Sequence, residues 1–340
     1  MALLTFKERG IYCARANVYI DPWKPVKRAL ITHAHSDHAR TGNEHYLAHQ
    51  DSAAVMRLRL GTDISLHTVA YGEEVMINGV QFSFHPAGHI PGSSQIRAAY
   101  KDEVWVVSGD YKLEDDGFTT PFEPVKCNHF ITESTFGLPI YDWQPQAHVM
   151  DEINAWWKNC RDKGKVAVIG AYSLGKAQRI INHVDPSIGT IFTHGAVENT
   201  NEVLRAAEIP VSPTTYIHDN LTKQDLQGGL VVCPPGAMGT PWMRKLGPSE
   251  TAFASGWMTL RGARRRRAMD RGFVLSDHAD WKELNQAVLA TGAENIYVTH
   301  GYQNAFTRWL VEEKGLNAVA VDTLFEGEQA DDTEGKEVAP

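Results

Sequence analysis

The sequence predicts an α/β protein, and three observations carry that expectation. Short β-rich runs recur along the chain, helical stretches alternate with several of them, and residues able to hold metal stand just after the apolar runs. Strands are expected at "RALIT" (28–32), "VQFSFH" (80–85), "VWVVSG" (104–109), "HFIT" (129–132), "KVAVIG" (165–170), "LVVCPP" (230–235), "FVLS" (273–276) and "NIYVT" (295–299). Helices are expected at "HVMDEINAWWKNCRDKG" (148–164), "SLGKAQRIINHV" (173–184) and "NAFTRWLVEEKG" (304–315), and "PVSPTTYIHDN" (210–220) reads as loop. No internal repeat is apparent.

Each early run hands the chain to a candidate ligand. "ALIT" precedes His33, "FSFHPAG" precedes His89, "VWVVSG" precedes Asp110, "HFIT" precedes Glu133, "FVLSD" precedes His278 and "NIYVT" precedes His300. Strand ends lie along one edge of a sheet, so groups placed there converge in space. The stretch "HAHSDH" is the densest case: His33 and His35 can face one ion while Asp37 and His38 face a neighbour, a donor set that suits Zn²⁺. Read alone, it is also compatible with a polar surface loop. Isolated histidines such as His45, His67 and His218 read as ordinary polar residues.

Composition narrows the class. A chain of 340 residues accommodates one large domain or two smaller ones, and 43% hydrophobic with 22% charged residues is ordinary for a globular protein. No apolar run approaches the ~20 residues a membrane span needs, and the start, "MALLTFKERGIYC", lacks the pattern of a secretory signal. The scattered cysteines Cys13, Cys127, Cys160 and Cys233 contain no CxxC pair and suit a reducing cytoplasm. The net charge of −8 is uneven. The stretch from Glu326 to Pro340 holds six acids and one lysine, and reads as a solvated, disordered tail. "RGARRRRAMDR" (Arg261 to Arg271) holds six arginines and one aspartate, the only strong local basic field.

On these residues the chain resembles the metallo-β-lactamase superfamily. His33, His35, Asp37 and His38 match its HxHxDH signature, and Asp21 in "VYIDP", His89 in "AGHIPGSS" and Asp110 in "SGDY" follow its later motifs. "TESTFG" (132–137), "AYSLGKAQRI" (171–180), "SDHADW" (276–281) and "VTHG" (298–301) further resemble the β-CASP nucleases. The compact length and the arginine run are most like the bacterial ligase-associated DNA exonucleases.

The resemblance implies an αββα sandwich with an inserted β-CASP α/β domain. The sandwich would occupy residues 1–137 and 272–325, and the insert 138–271, with the tail from 326 to 340. It also implies two divalent metal ions, zinc first and manganese as the alternative. His33, His35, His89 and Asp110 would hold one, and Asp37, His38, Asp110 and His300 the other, with Asp110 bridging and Asp21 orienting the loop. The acidic motif maps to Glu133 and the catalytic histidine to His278. The ions would activate a hydroxide for attack on phosphate, and His278 would protonate the leaving oxygen with Glu133 orienting it. A third-ligand role for His278 and a loop-tying role for Glu133 remain open.

"GSSQ" (92–95) and "SLGK" (173–176) are candidate phosphate contacts. In the second, Ser173 would cap a helix and Lys176 would add charge. Arg264, Arg265, Arg266 and Arg267 would attract a nucleic-acid backbone. Trp242, Trp257 and Trp281 could stack on bases, though core packing is the simpler reading.

The expected function is therefore a metal-dependent DNA exonuclease in repair, acting with a DNA ligase, a helicase and a phosphoesterase. A histidine at the last motif, His300, is usual among RNA-cleaving members of the group, so an RNA-processing enzyme is the alternative. A small-molecule metallo-hydrolase or a non-catalytic metal-bearing module are further readings, and turnover assays separate them.

Overall fold

The computed structural model describes residues 2–260 and 269–325, and these divide into two compact units. One holds the chain up to Asp142 and again from Asp277; the other runs from Trp143 to Ser276. The arginines Arg264 to Arg267 and the acidic tail lie outside the described residues.

The first unit is a two-sheet sandwich. Its first sheet takes six strands in chain order: β1 (Leu4–Lys7), β2 (Gly10–Cys13), β3 (Val18–Ile20), β4 (Arg28–Leu30), β5 (His45–His49) and β6 (Leu66–Val69). The pairs β1/β2 and β2/β3 are antiparallel and the rest parallel. The second sheet runs β19-β18-β11-β10-β9-β8-β7. Its strands are β7 (Glu74–Ile77), β8 (Val80–Pro86), β9 (Ser94–Tyr100), β10 (Glu103–Val107), β11 (His129–Ser134), β18 (Asn295–Gly301) and β19 (Asn317–Ala320). The half from β7 to β10 is antiparallel, and β10, β11, β18 and β19 are parallel.

Strand alternation sorts the core into two layers. Trp105, Val107 and Ile131 face Leu4, Ile20, Leu30 and Leu47 of the first sheet. Val106, Phe130, Ile296 and Val298 face the opposite way, against Leu284 and Val288 of the helix Trp281–Thr291 and Phe306 and Leu310 of the helix Gln303–Glu312. The middle strands are thus buried on both faces, which is why they read as continuous apolar runs rather than alternating ones. The chain directions matter more for function. Strands β8 and β10 flank the antiparallel β9, so they run the same way, and β11 and β18 run parallel to β10. Their C-terminal ends therefore share one edge of the sheet.

The second unit is a parallel sheet ordered β14-β13-β15-β12-β16-β17. Its strands are β12 (Val166–Gly170), β13 (Ile191–Thr193), β14 (Thr215–Tyr216), β15 (Leu230–Cys233), β16 (Ser249–Ala254) and β17 (Arg271–Phe273). The helices Gln146–Asp162, Lys176–His183 and Gly195–Ala206 belong to the same unit. Two local expectations are corrected here. Residues 210–220 are not all loop, since Thr215–Tyr216 pairs with Phe192 and Thr193. The run expected as a strand at 273–276 instead ends its strand at Phe273, where Arg271–Phe273 pairs with Ala252–Ala254. Residues 272–276 thereby join the second unit. Among the described residues no helix is long and apolar enough to cross a membrane.

Candidate metal centre

The shared strand edge of the first unit gathers the candidate ligands. His89 follows β8, Asp110 follows β10, Glu133 sits near the end of β11 and His300 near the end of β18, while Asp21 and His33 follow β3 and β4 of the other sheet. Glu133 and His300 are inside their strands rather than after them. Between the pairs Thr132↔Val298 and Ser134↔Gly301 the register shifts, so Thr299 and His300 oppose the single residue Glu133. Such a bulge re-aims side chains. It is pinned by Ser134, whose hydroxyl donates to the carbonyls of Thr299 and His300 at 3.0 and 2.6 Å. Gly301 completes the turn at φ +88°, where a Cβ would lie 2.2 Å from the Ser134 carbonyl oxygen.

One carboxylate organises the centre. Asp110 has imidazole nitrogens of His33, His38, His89, His278 and His300 at 3.6, 3.5, 3.9, 4.0 and 3.1 Å. All these groups are buried. Donor atoms of His33, His35, His89 and Asp110 all lie within 4.8 Å of one another, close to the span that one ion with ~2.0–2.2 Å bonds draws together. Of the second expected set, Asp37 Oδ2 lies 3.6 Å from His38 Nε2 and His300 Nε2 lies 3.1 Å from Asp110 Oδ1.

The outer hydrogen bonds decide which ring nitrogens are left for an ion. Asp21 Oδ2 lies 2.7 Å from His38 Nδ1, and Asp21 Oδ1 accepts from the Thr32 amide at 2.8 Å. Thr32 Oγ1 lies 3.1 Å from His33 Nδ1, and Thr299 Oγ1 lies 3.3 Å from His300 Nδ1. The Asp277 carbonyl takes His89 Nδ1 at 2.8 Å. Four rings are thus held by Nδ1 and turn Nε2 inward, the arrangement that supports metal-bound histidines. Among the described residues, Nε2 of His33 and His38 are buried without a hydrogen-bond partner, and Nε2 of His300 and Oδ1 of Asp110 have none beyond each other at 3.1 Å. Buried polar atoms left unpaired are costly. The cluster of donors around Asp110 therefore fits metal.

Electrostatics favour ligation at two of the histidines. Burial, reinforced by neighbouring rings, pushes the pKa of His33 and His89 well down, which keeps them in the neutral form that ligates. For His38 burial pulls the same way but is outweighed by Asp37, Asp110 and Asp21, so its pKa is raised. Burial would raise Asp110, yet His38, His300 and His278 hold it well below the usual carboxylate range.

Beside this cluster stands a second pair. His278 Nδ1 is 3.0 and 3.2 Å from the two oxygens of Glu133. Glu133 Oε1 also accepts from the Tyr111 amide at 2.8 Å, which ties it to the residue after Asp110.

Taken with this geometry, the comparisons assign the chain. No family model matches it. A protein of Opitutus terrae named "Probable DNA ligase" is 31% identical over 314 residues, 92% of this chain and 30% of that protein. Cleavage and polyadenylation specificity factor 73 of Drosophila melanogaster is 20% identical over 348 residues, 84% of this chain and 51% of its own. RNase aCSPSF2 of Saccharolobus solfataricus is 28% identical over 117 residues, 34% of this chain and 23% of the relative. The chain belongs to the β-CASP group of the metallo-β-lactamase superfamily. It spans about a third of the Opitutus relative and about half of the Drosophila one. The crystal structure of an Enterococcus faecalis protein of unknown function matches with a TM-score of 0.58 and 11% identity, covering 87% of this chain and 79% of that one, which supports the fold alone.

Other expectations for this β-CASP chain fare differently. Ser173 is not a helix cap. The helix starts at Lys176, preceded by Gly175 at φ +89°, and Gln178 reaches back to accept from the Gly175 amide at 2.8 Å while donating to the Ser173 carbonyl. Lys176 is buried, its ammonium 4.5 Å from the Tyr172 ring centroid. "GSSQ" is buried, and much of its hydrogen-bonding capacity is used by nearby backbone. Ser93 Oγ accepts from the His89 and Ile90 amides, Ser94 donates to the Gly92 carbonyl, and Gln95 Nε2 donates to the Pro86 and Glu123 carbonyls. These residues shape the loop that carries His89. Trp281 packs on Phe306 and Trp309, and Trp242 packs on His194. Thr32 and Thr299 were not anticipated, although "ITH" and "VTH" repeat the same Thr-His dipeptide.

Proposed function

We propose that this chain is a metal-dependent nuclease that hydrolyses phosphodiester bonds, and that it acts as a DNA exonuclease in repair. The observation that supports this best is one buried carboxylate, Asp110, facing five imidazoles, with the His278–Glu133 pair set beside it. Ligands fall to His33, His35, His89 and Asp110 on one side and to Asp37, His38, Asp110 and His300 on the other. When bound, the two ions supply a water of lowered pKa and neutralise charge on the phosphate.

The remaining work falls to the chain. Asp21, Thr32, Thr299 and the Asp277 carbonyl hold Nδ1 of their histidines and so fix ring orientation. Glu133 engages Nδ1 of His278 and would orient that ring to deliver a proton to the leaving sugar oxygen. Arg264 to Arg267 would attract the strand's phosphates. Zinc is the proposed native ion, with manganese as its competitor.

DNA is favoured because the relative matched over 92% of this chain is named a DNA ligase; a ligase, a helicase and a phosphoesterase are the proposed partners. RNA is the second reading, favoured by His300 and by relatives named as ribonucleases. Metal-stripped protein given Zn²⁺ or Mn²⁺ should shorten end-labelled DNA, single- or double-stranded, progressively from an end, and faster than matched RNA. Faster loss of RNA would move the assignment to RNA processing. Intact strands alongside cleavage of a small ester or lactone would replace the nuclease reading altogether.

A further inference from the structure

The last described residue lies against the metal centre. The Phe325 ring is stacked on His38, with centroids 4.6 Å apart and planes inclined by 6°. It meets His300 at 5.6 Å and 69°, and Trp23 supports it from another side at 5.6 Å and 86°. Phe325, Asp21, His38, Thr299 and His300 line one small cavity. The backbone leading there is anchored to the same machinery. Val321 donates to Val298 of β18, and Gln303 donates to the Val321 carbonyl. Arg40 Nη2 donates to the Leu324 carbonyl at 2.9 Å while its Nε donates to the Asp37 carbonyl at 3.1 Å.

We infer that Phe325 is a positioning residue for His38 and His300, the two imidazoles of the second ion's set; this rests on the metal reading proposed above. A ring held only at Nδ1 can still tilt about that bond. A parallel aromatic face removes the tilt, and an edge-to-face contact restrains His300 in the same way. The apolar ring also keeps water from the Asp21–His38 bond, which a low local dielectric strengthens. The first ion's set has no such clamp from Phe325: His33, His35 and His89 pack on one another, with centroids 4.8 to 4.9 Å apart. Phe325 therefore touches only the second ion's set directly, and reaches the first through His38, whose ring lies 4.1 Å from that of His33.

The test compares full-length wild type with Phe325→Ala, Phe325→Leu and Phe325→Tyr. Each is stripped of metal, melted to confirm the fold, and titrated with Zn²⁺ by equilibrium dialysis and with Co²⁺ by visible absorption. Loss of an orienting partner typically weakens metal affinity ~10–100-fold. The expected result is that alanine and leucine weaken one ion by that factor and the other by much less, that one equivalent's Co²⁺ spectrum alters more than the other's, and that tyrosine restores wild-type binding. Leucine keeps the apolar volume, so it remains informative if alanine fails to fold. Two ions held as tightly as in wild type by the leucine variant, equal weakening of both ions, or no rescue by tyrosine would overturn the inference. A wild-type chain that takes up fewer than two ions would overturn the metal reading itself.

Discussion

Replacing Asp21 by asparagine keeps the side chain's shape but reverses the chemistry at one atom. In the native centre Oδ1 accepts from the Thr32 amide at 2.8 Å, while Oδ2 lies 2.7 Å from His38 Nδ1 and also accepts from the Thr32 hydroxyl at 2.5 Å, all buried. The amide oxygen of Asn must stay opposite the Thr32 N–H, so its NH₂ group faces His38. The ring then either meets it donor to donor, or moves its proton to Nε2 and loses the lone pair that would ligate the ion. Turning the amide over merely shifts the conflict to Thr32. In each case at least one buried hydrogen bond is lost, worth ~1–3 kcal/mol. At about 1.4 kcal/mol per decade, that is a ~10–100-fold weaker ion, in line with the usual cost of losing a partner of a ligating histidine. Competition of metal-stripped Asp21→Asn with a chromophoric chelator measures it: the ion at His38 should weaken by this factor and the other by less, since Asp21 reaches His33 only through Thr32. Two ions bound with wild-type affinity would refute the argument that Asp21 sets the His38 tautomer.

Three further outcomes follow from the same geometry and sequence. His278→Ala should lower kcat by ~10²–10⁴ with metal content intact, and a substrate with a better leaving group should recover part of the loss; a parallel fall in bound metal would make His278 a ligand. Gly301→Ala should destabilise the protein by at least ~1–3 kcal/mol, since φ +88° is strained for alanine and the new Cβ meets the Ser134 carbonyl; a melting temperature equal to wild type would contradict the bulge geometry. Neutralising Arg264 to Arg267 should weaken strand binding and flatten the slope of log K against log[salt] by ~0.7 per lost contact on single strands, while turnover of a very short phosphodiester stays near wild type.

How much of this was legible in the sequence depends on how locally each signal is encoded. The HxHxDH loop announces itself because all six of its residues follow one short strand, and the apolar runs of β10, β11 and β18 are plain because both faces are buried. Less legible was where strands end. Glu133 and His300 lie within β11 and β18, because a one-residue bulge has no mark in periodicity. Ser173 looked like a cap by residue type, but the positive φ of Gly175 starts the helix later. "GSSQ" looked like a phosphate loop, yet its donors and acceptors are largely used by nearby backbone. Phe325 was invisible, since its meeting with His38 depends on the path of the chain after β19 and on no local pattern.

The central claim is that two ions held around Asp110 drive phosphodiester hydrolysis. Its most direct test is a titration of metal-stripped protein with Zn²⁺ or Mn²⁺, following bound metal and release of the label from end-labelled DNA in the same samples. The account expects little cleavage in the stripped protein, and activity that rises to a plateau as the second equivalent binds. Strand cleavage undiminished in protein shown to be free of metal, or two equivalents bound with neither DNA nor RNA cut, would contradict it.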